Sequence, residues 1–100
     1  MYYHLKNKHG NIEAVIDDNC GISKFYTIAA MLFAELNVDF LKRINNTESL
    51  LWEFRYKNQV LTLHYNVFNG VSLFPKHLES VLQENNMVLE IAHYLERRAC

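Results

Sequence analysis

Two periods divide the chain. From Ile22 to Leu36, and again in the tail after Pro75, apolar residues recur three and four apart; between and before these segments they alternate with polar ones, as in strands. Met1 to Lys6 and Asn11 to Asp17 alternate, the second with Ile12, Ala14 and Ile16 inward. "NKHG" between them, ending on Gly10, predicts a turn and so an opening hairpin. Ile22, Phe25, Tyr26, Ala29, Leu32, Phe33 and Leu36 predict an amphipathic helix with a wide apolar face. Asp17 and Asp18 stand where negative charge suits its N-terminus, and Asn37 is the stop.

Val38 to Ile44 reads as a strand, "NNTES" as a loop, and Leu50 to Tyr56 as a strand with Trp52, Phe54 and Tyr56 on one face. A turn follows over Lys57 to Val60. Centred on Asn58-Gln59, it would pair Tyr56 with Leu61, Phe54 with Leu63 and Trp52 with Tyr65, six large side chains on one face. Asn69-Gly70 marks another turn before "VSLF", which Pro75 ends. As a two-residue turn it would send Val71 and Leu73 to the His64 face, leaving apolar surface for a partner. As a three-residue loop with a bulge it would return them to the core. The core reading is adopted here.

The tail from Lys76 to Arg98 is helical, with Val88, Ile91, Ala92 and Leu95 as its apolar stripe. Glu84 to Asn86 is expected to break it, with Asn85 or Asn86 as N-cap. Hairpin, helix, meander and helix predict one α+β domain over residues 1–100. Its mostly antiparallel sheet has about five to six strands, with two main helices packed on one face.

Half of the 100 residues are hydrophobic and 21% are charged, a globular composition. A net charge of −1 shows no basic excess of the kind nucleic-acid binders carry. The uncharged run of the predicted helix, Phe25 to Ala34, is half of the roughly 20 residues a membrane span needs. The first residues, "MYYHLKNKHG", lack the pattern of a secretory signal. Cys20 and Cys100 stand far apart without a CxxC, so a reduced cytoplasmic chain is expected. These readings predict neither nucleic acid nor membrane as partner.

The expected register sets Glu53 across from His64 and Arg55 across from Thr62. A carboxylate beside an imidazole raises its basicity, and an arginine could hold an anion, the outline of a small hydrolase or nuclease. Opposite charges on the solvated face of a sheet explain the same pattern more simply. His4, His9, His77, His93 and Cys20 lack metal-ligand spacing, so neither metal nor cofactor is expected.

The strands "W-E-F", "L-T-L-H-Y-N" and "G-V-S-L-F-P" followed by a closing helix, Leu50 to Leu95, resemble the small bacterial immunity proteins of polymorphic-toxin systems, those of contact-dependent growth inhibition in particular. The resemblance implies a non-enzymatic cytoplasmic protein, a monomer in a 1:1 complex, that neutralises a cognate toxin domain such as a nuclease by direct binding. Such families share no fixed interface motif. Charge and exposure therefore select the candidate contacts: Glu13, Asp17, Asp18, Glu53, Arg55, His64 and Phe68. Two other readings stay open, a hydrolase or nuclease using Glu53, Arg55 and His64, and an adaptor whose partner is not a toxin.

Overall fold

The alternating segments form six strands in the computed structural model, which describes residues 3–6, 12–76 and 82–98. They are β1 (Tyr3–Lys6), β2 (Ile12–Asp17), β3 (Asp39–Asn45), β4 (Ser49–Tyr56), β5 (Gln59–Asn66) and β6 (Gly70–Pro75). Helix α1 (Ile22–Leu36) follows β2, and α2 (Leu82–Arg97) follows β6. The sheet order is β1-β2-β6-β5-β4-β3 and each neighbouring pair is antiparallel. The fold is α+β. The expected "NKHG" turn, with Gly10 and His9, lies outside the described residues, as do His77 and Cys100.

The β4–β5 turn departs from expectation. Its corner residues are Lys57 and Asn58, both with positive φ (49° and 67°), so Tyr56 pairs with Gln59, Phe54 with Leu61 and Trp52 with Leu63. Such a turn matches the right-handed twist of the strands it joins. The register is offset by two residues from the Asn58-Gln59 reading. An offset of two leaves every side chain on its expected face but changes its partner. Glu53 therefore lies opposite Thr62, and His64 opposite Leu51.

The β5–β6 connection is a three-residue loop. Asn66 pairs with Gly70 and Leu63 with Leu73, and Val71 and Leu73 are fully buried. Asn66 shapes the loop: its side-chain Oδ1 accepts from the Phe68 N–H at 2.8 Å, and its carbonyl from the Asn69 N–H at 3.2 Å. Gly70, at φ 75°, returns the chain to the ladder as a bulge.

Cross-strand neighbours Trp52, Leu63, Leu73 and Ala14 form a row through the core. Phe25, Ile28, Ala29 and Leu32 of α1 belong to that core, as do Val88, Ile91, Ala92 and Leu95 of α2. Phe25 meets Trp52 edge to face with centroids 5.0 Å apart. The buried stripe of α1 is narrower than its sequence suggests, because Ile22, Tyr26 and Phe33 are exposed. Nor do Asp17 and Asp18 cap it: Gly21 is the N-cap, and no side chain bonds there. Asn37 does end α1, in the left-handed conformation, and the Val38 N–H closes back on the Leu32 carbonyl at 3.3 Å. That bond binds Val38 to the helix end, so β3 starts one residue later than expected.

Helix α2 runs unbroken through Glu84 to Asn86. Asn85 is not an N-cap; its Oδ1 accepts the Ile12 backbone N–H at 3.0 Å, docking the helix on β2. Farther along, Glu90 accepts from Tyr56 Oη at 2.6 Å and pairs with Lys57 at 3.0 Å.

Candidate functional site

The reverse of the sheet carries the alternate residues of the same strands. His64 lies between Leu51 and Ser72, and Ser72 continues to Val15 of β2. Beside this row a concavity of about 480 Å³ is lined by Glu13, Val15, His64 and Ser72 from the strands, with Asp18 and Phe68 among its loop residues. Asn69 completes it.

A close approach brings the two loops together. The β2 ladder slips between Val15 and Asp17, and the Asp17 backbone presses on Gly70, where a Cβ would stand 1.9 Å from the Asp17 carbonyl oxygen. Only glycine fits there. The contact sets the corner after β2, with Asp18, beside the β5–β6 loop, with Phe68. Phe68 is 76% exposed at the tip of that loop.

Four of the seven sequence-selected residues thus meet in one place: Glu13, Asp18, His64 and Phe68. Asp17 is engaged elsewhere. Its carboxylate accepts the Asn19 N–H at 3.0 Å and lies 3.6 Å from Lys24 Nζ, and the Asn19 bond foremost holds its pKa below the ordinary carboxylate value. Glu53 pairs with Lys76 at 3.5 Å, and Arg55 is exposed between Val60 and Asp39. The expected Glu53–His64 and Arg55–Thr62 pairs do not form, because the register is offset by two residues.

His64 is half-buried, with the Phe74 ring 6.0 Å away. Burial pushes its pKa down and the nearby Glu13 charge pulls it back up, the first effect prevailing. The ring is therefore neutral at neutral pH and presents one donor and one acceptor nitrogen. Ser72 lies outside the sequence-selected set. It is the one hydroxyl in "GVSLFP", at the position that alternation assigns to the His64 face.

A second concave surface, of about 310 Å³, lies between α1 and the β3–β4 edge, lined by Tyr26, Phe33, Phe40, Trp52 and Arg43 among others. The Arg43 guanidinium rests 4.6 Å from the Trp52 ring centre and 5.5 Å from that of Phe40. Nothing in the spacing of the sequence set Arg43 against these rings. Among the described residues no three His, Cys, Asp or Glu side chains are grouped to hold a metal ion, and no helix is long and apolar enough to cross a membrane. Comparison with family models, with curated proteins and with solved structures finds no match.

Proposed function

We propose that the chain is a non-enzymatic protein-binding domain, an immunity protein that neutralises a cognate toxin domain by docking on it directly. In this reading both helices cover one face of the sheet. Phe25 of α1 reaches Trp52 and Glu90 of α2 reaches Tyr56, two β4 residues that alternate to the same side. The reverse face is then the docking side. The observation that carries the reading is the gathering of Glu13, Asp18, His64 and the protruding Phe68 around one concavity. An exposed aromatic beside a polar cleft is the composition of an interface anchor and its rim. The hydrolase reading draws less support, since Glu53 is opposite Thr62 and its carboxylate faces Lys76.

Co-expression with the product of the adjacent toxin gene, followed by co-purification and a growth assay, tests this. Rescue of growth and a retained 1:1 complex are expected. Phe68→Ala should speed dissociation at least about tenfold, since a buried aromatic anchor acts mainly through the off-rate. A folded protein that neither rescues growth nor retains the toxin leaves the adaptor reading in front.

A further inference from the structure

We propose that the concavity on the reverse face receives the guanidinium of an arginine side chain presented by the protein partner. The inference rests on the binding reading above and names the chemistry of its contact.

Its ground is the set of polar groups without partners. Ser72 is only 5% exposed, it is aimed at this face by its pairing with His64 and Val15, and its hydroxyl meets no hydrogen-bonding group among the described residues. A buried hydroxyl left unpaired is costly, and native structures rarely keep one without a use. The half-buried His64 imidazole likewise makes no hydrogen bond among the described residues. Glu13 and Asp18 have neither ion pair nor hydrogen bond among them, whereas Asp17, one residue from Asp18, is held by Asn19 and Lys24. Among the described residues that line it there is no Lys or Arg.

The site therefore presents two carboxylates, a hydroxyl oxygen and a neutral ring nitrogen. Each of them accepts hydrogen bonds. A cation with several donors satisfies the set. Guanidinium suits it better than ammonium because it carries five N–H donors in a flat fork and can meet acceptors on separate walls at once. Its long, slender stem can also carry the head down to the buried Ser72. Phe68 adds an aromatic ring, a surface on which a flat cation stacks.

The test titrates the uniformly ¹⁵N-labelled chain with N-acetyl-arginine methylamide, with its neutral citrulline counterpart and with its lysine counterpart. The arginine probe should give saturable shifts at the amides of Val15, Asp18, His64 and Ser72, with the citrulline probe at least about tenfold weaker. Glu13→Gln combined with Asp18→Asn should abolish the response and leave the remaining spectrum in place. Ser72→Ala should weaken the response without abolishing it. Equal binding of the citrulline probe, tighter binding of the lysine probe, or shifts that never saturate would each overturn the proposal. If the arginine probe fails while a toxin is still bound and neutralised, the guanidinium inference falls and the immunity reading stands. If the probe binds and no toxin does, the reverse holds.

Discussion

Phe54 has no exposed surface; Leu61 is its neighbour on β5 and Phe40 its neighbour on β3. The Phe40 ring centre lies 5.8 Å away. Truncation to alanine removes a filled volume that these neighbours cannot close over. Phe54→Ala should therefore cost about 3–5 kcal/mol in a denaturant melt; a loss below about 1 kcal/mol would place Phe54 outside the core. Gly70→Ala tests a different physics. It forces a Cβ toward the Asp17 carbonyl and holds an L-residue at φ 75°. It should destabilise by more than about 1 kcal/mol and disturb the amides of Asp18 and Phe68 together, because one contact positions both. His64 gives a pH signature. Its folded pKa lies below the ordinary 6.5, so the unfolded chain takes up the proton first as pH falls through that value. Stability therefore declines on acidification there. His64→Gln should fold and lose this part of the slope in melts run across that range.

At the scale of elements, the hairpin turns explain what could be read in advance and what could not. Trp52, Phe54, Leu61 and Leu63 fell on the expected face because alternation has a period of two and survives an offset of two. The partner of each residue depended on the turn, and Lys57 at positive φ carries no signal of its own, unlike the Asn-Gly pairs that announce such corners. The Glu53–His64 pair was lost with that register. The three-residue loop before Gly70 was one of two open readings, and the fit of Gly70 against Asp17, 53 positions away in the chain, favours it. No local pattern contains that contact. The concavity behind it was legible only as separate residues, and Ser72 at its floor had alternation as its one signal. The turn itself can be tested. Lys57→Asn with Asn58→Gly places the preferred pair at a corner that already has its geometry. It should raise the melting midpoint by the equivalent of roughly 0.5–1 kcal/mol, because the exposed Lys57–Glu90 pair that is lost is screened by solvent. A fall in the midpoint would mean that the two positive-φ residues do not form the corner.

Across the whole molecule, two carboxylates hold the helices in place. Glu35, near the end of α1, accepts from Tyr94 Oη and from Arg98 Nε and Nη2 of the closing segment, both arginine bonds at 3.0 Å. Glu90 of α2 accepts from Tyr56 and Lys57 at the end of β4 and its turn. The Arg98 bonds foremost hold the Glu35 pKa below its ordinary 4.5, and the Tyr56 hydroxyl foremost does the same for Glu90. A depressed carboxylate contributes stability that is fully present above its unfolded value and lost as pH falls through the folded one. The wild-type melting temperature should therefore decline between about pH 5 and pH 3. Both groups are solvent-accessible, so the effect is modest and should shrink as salt is added. Glu35→Gln with Glu90→Gln should lower stability at neutral pH and flatten that decline without erasing it. Asp17, held by the Asn19 N–H, keeps its own share of the slope. A double variant whose melting temperature follows the wild-type pH profile in parallel would show that these two carboxylates do not couple the helices to the fold.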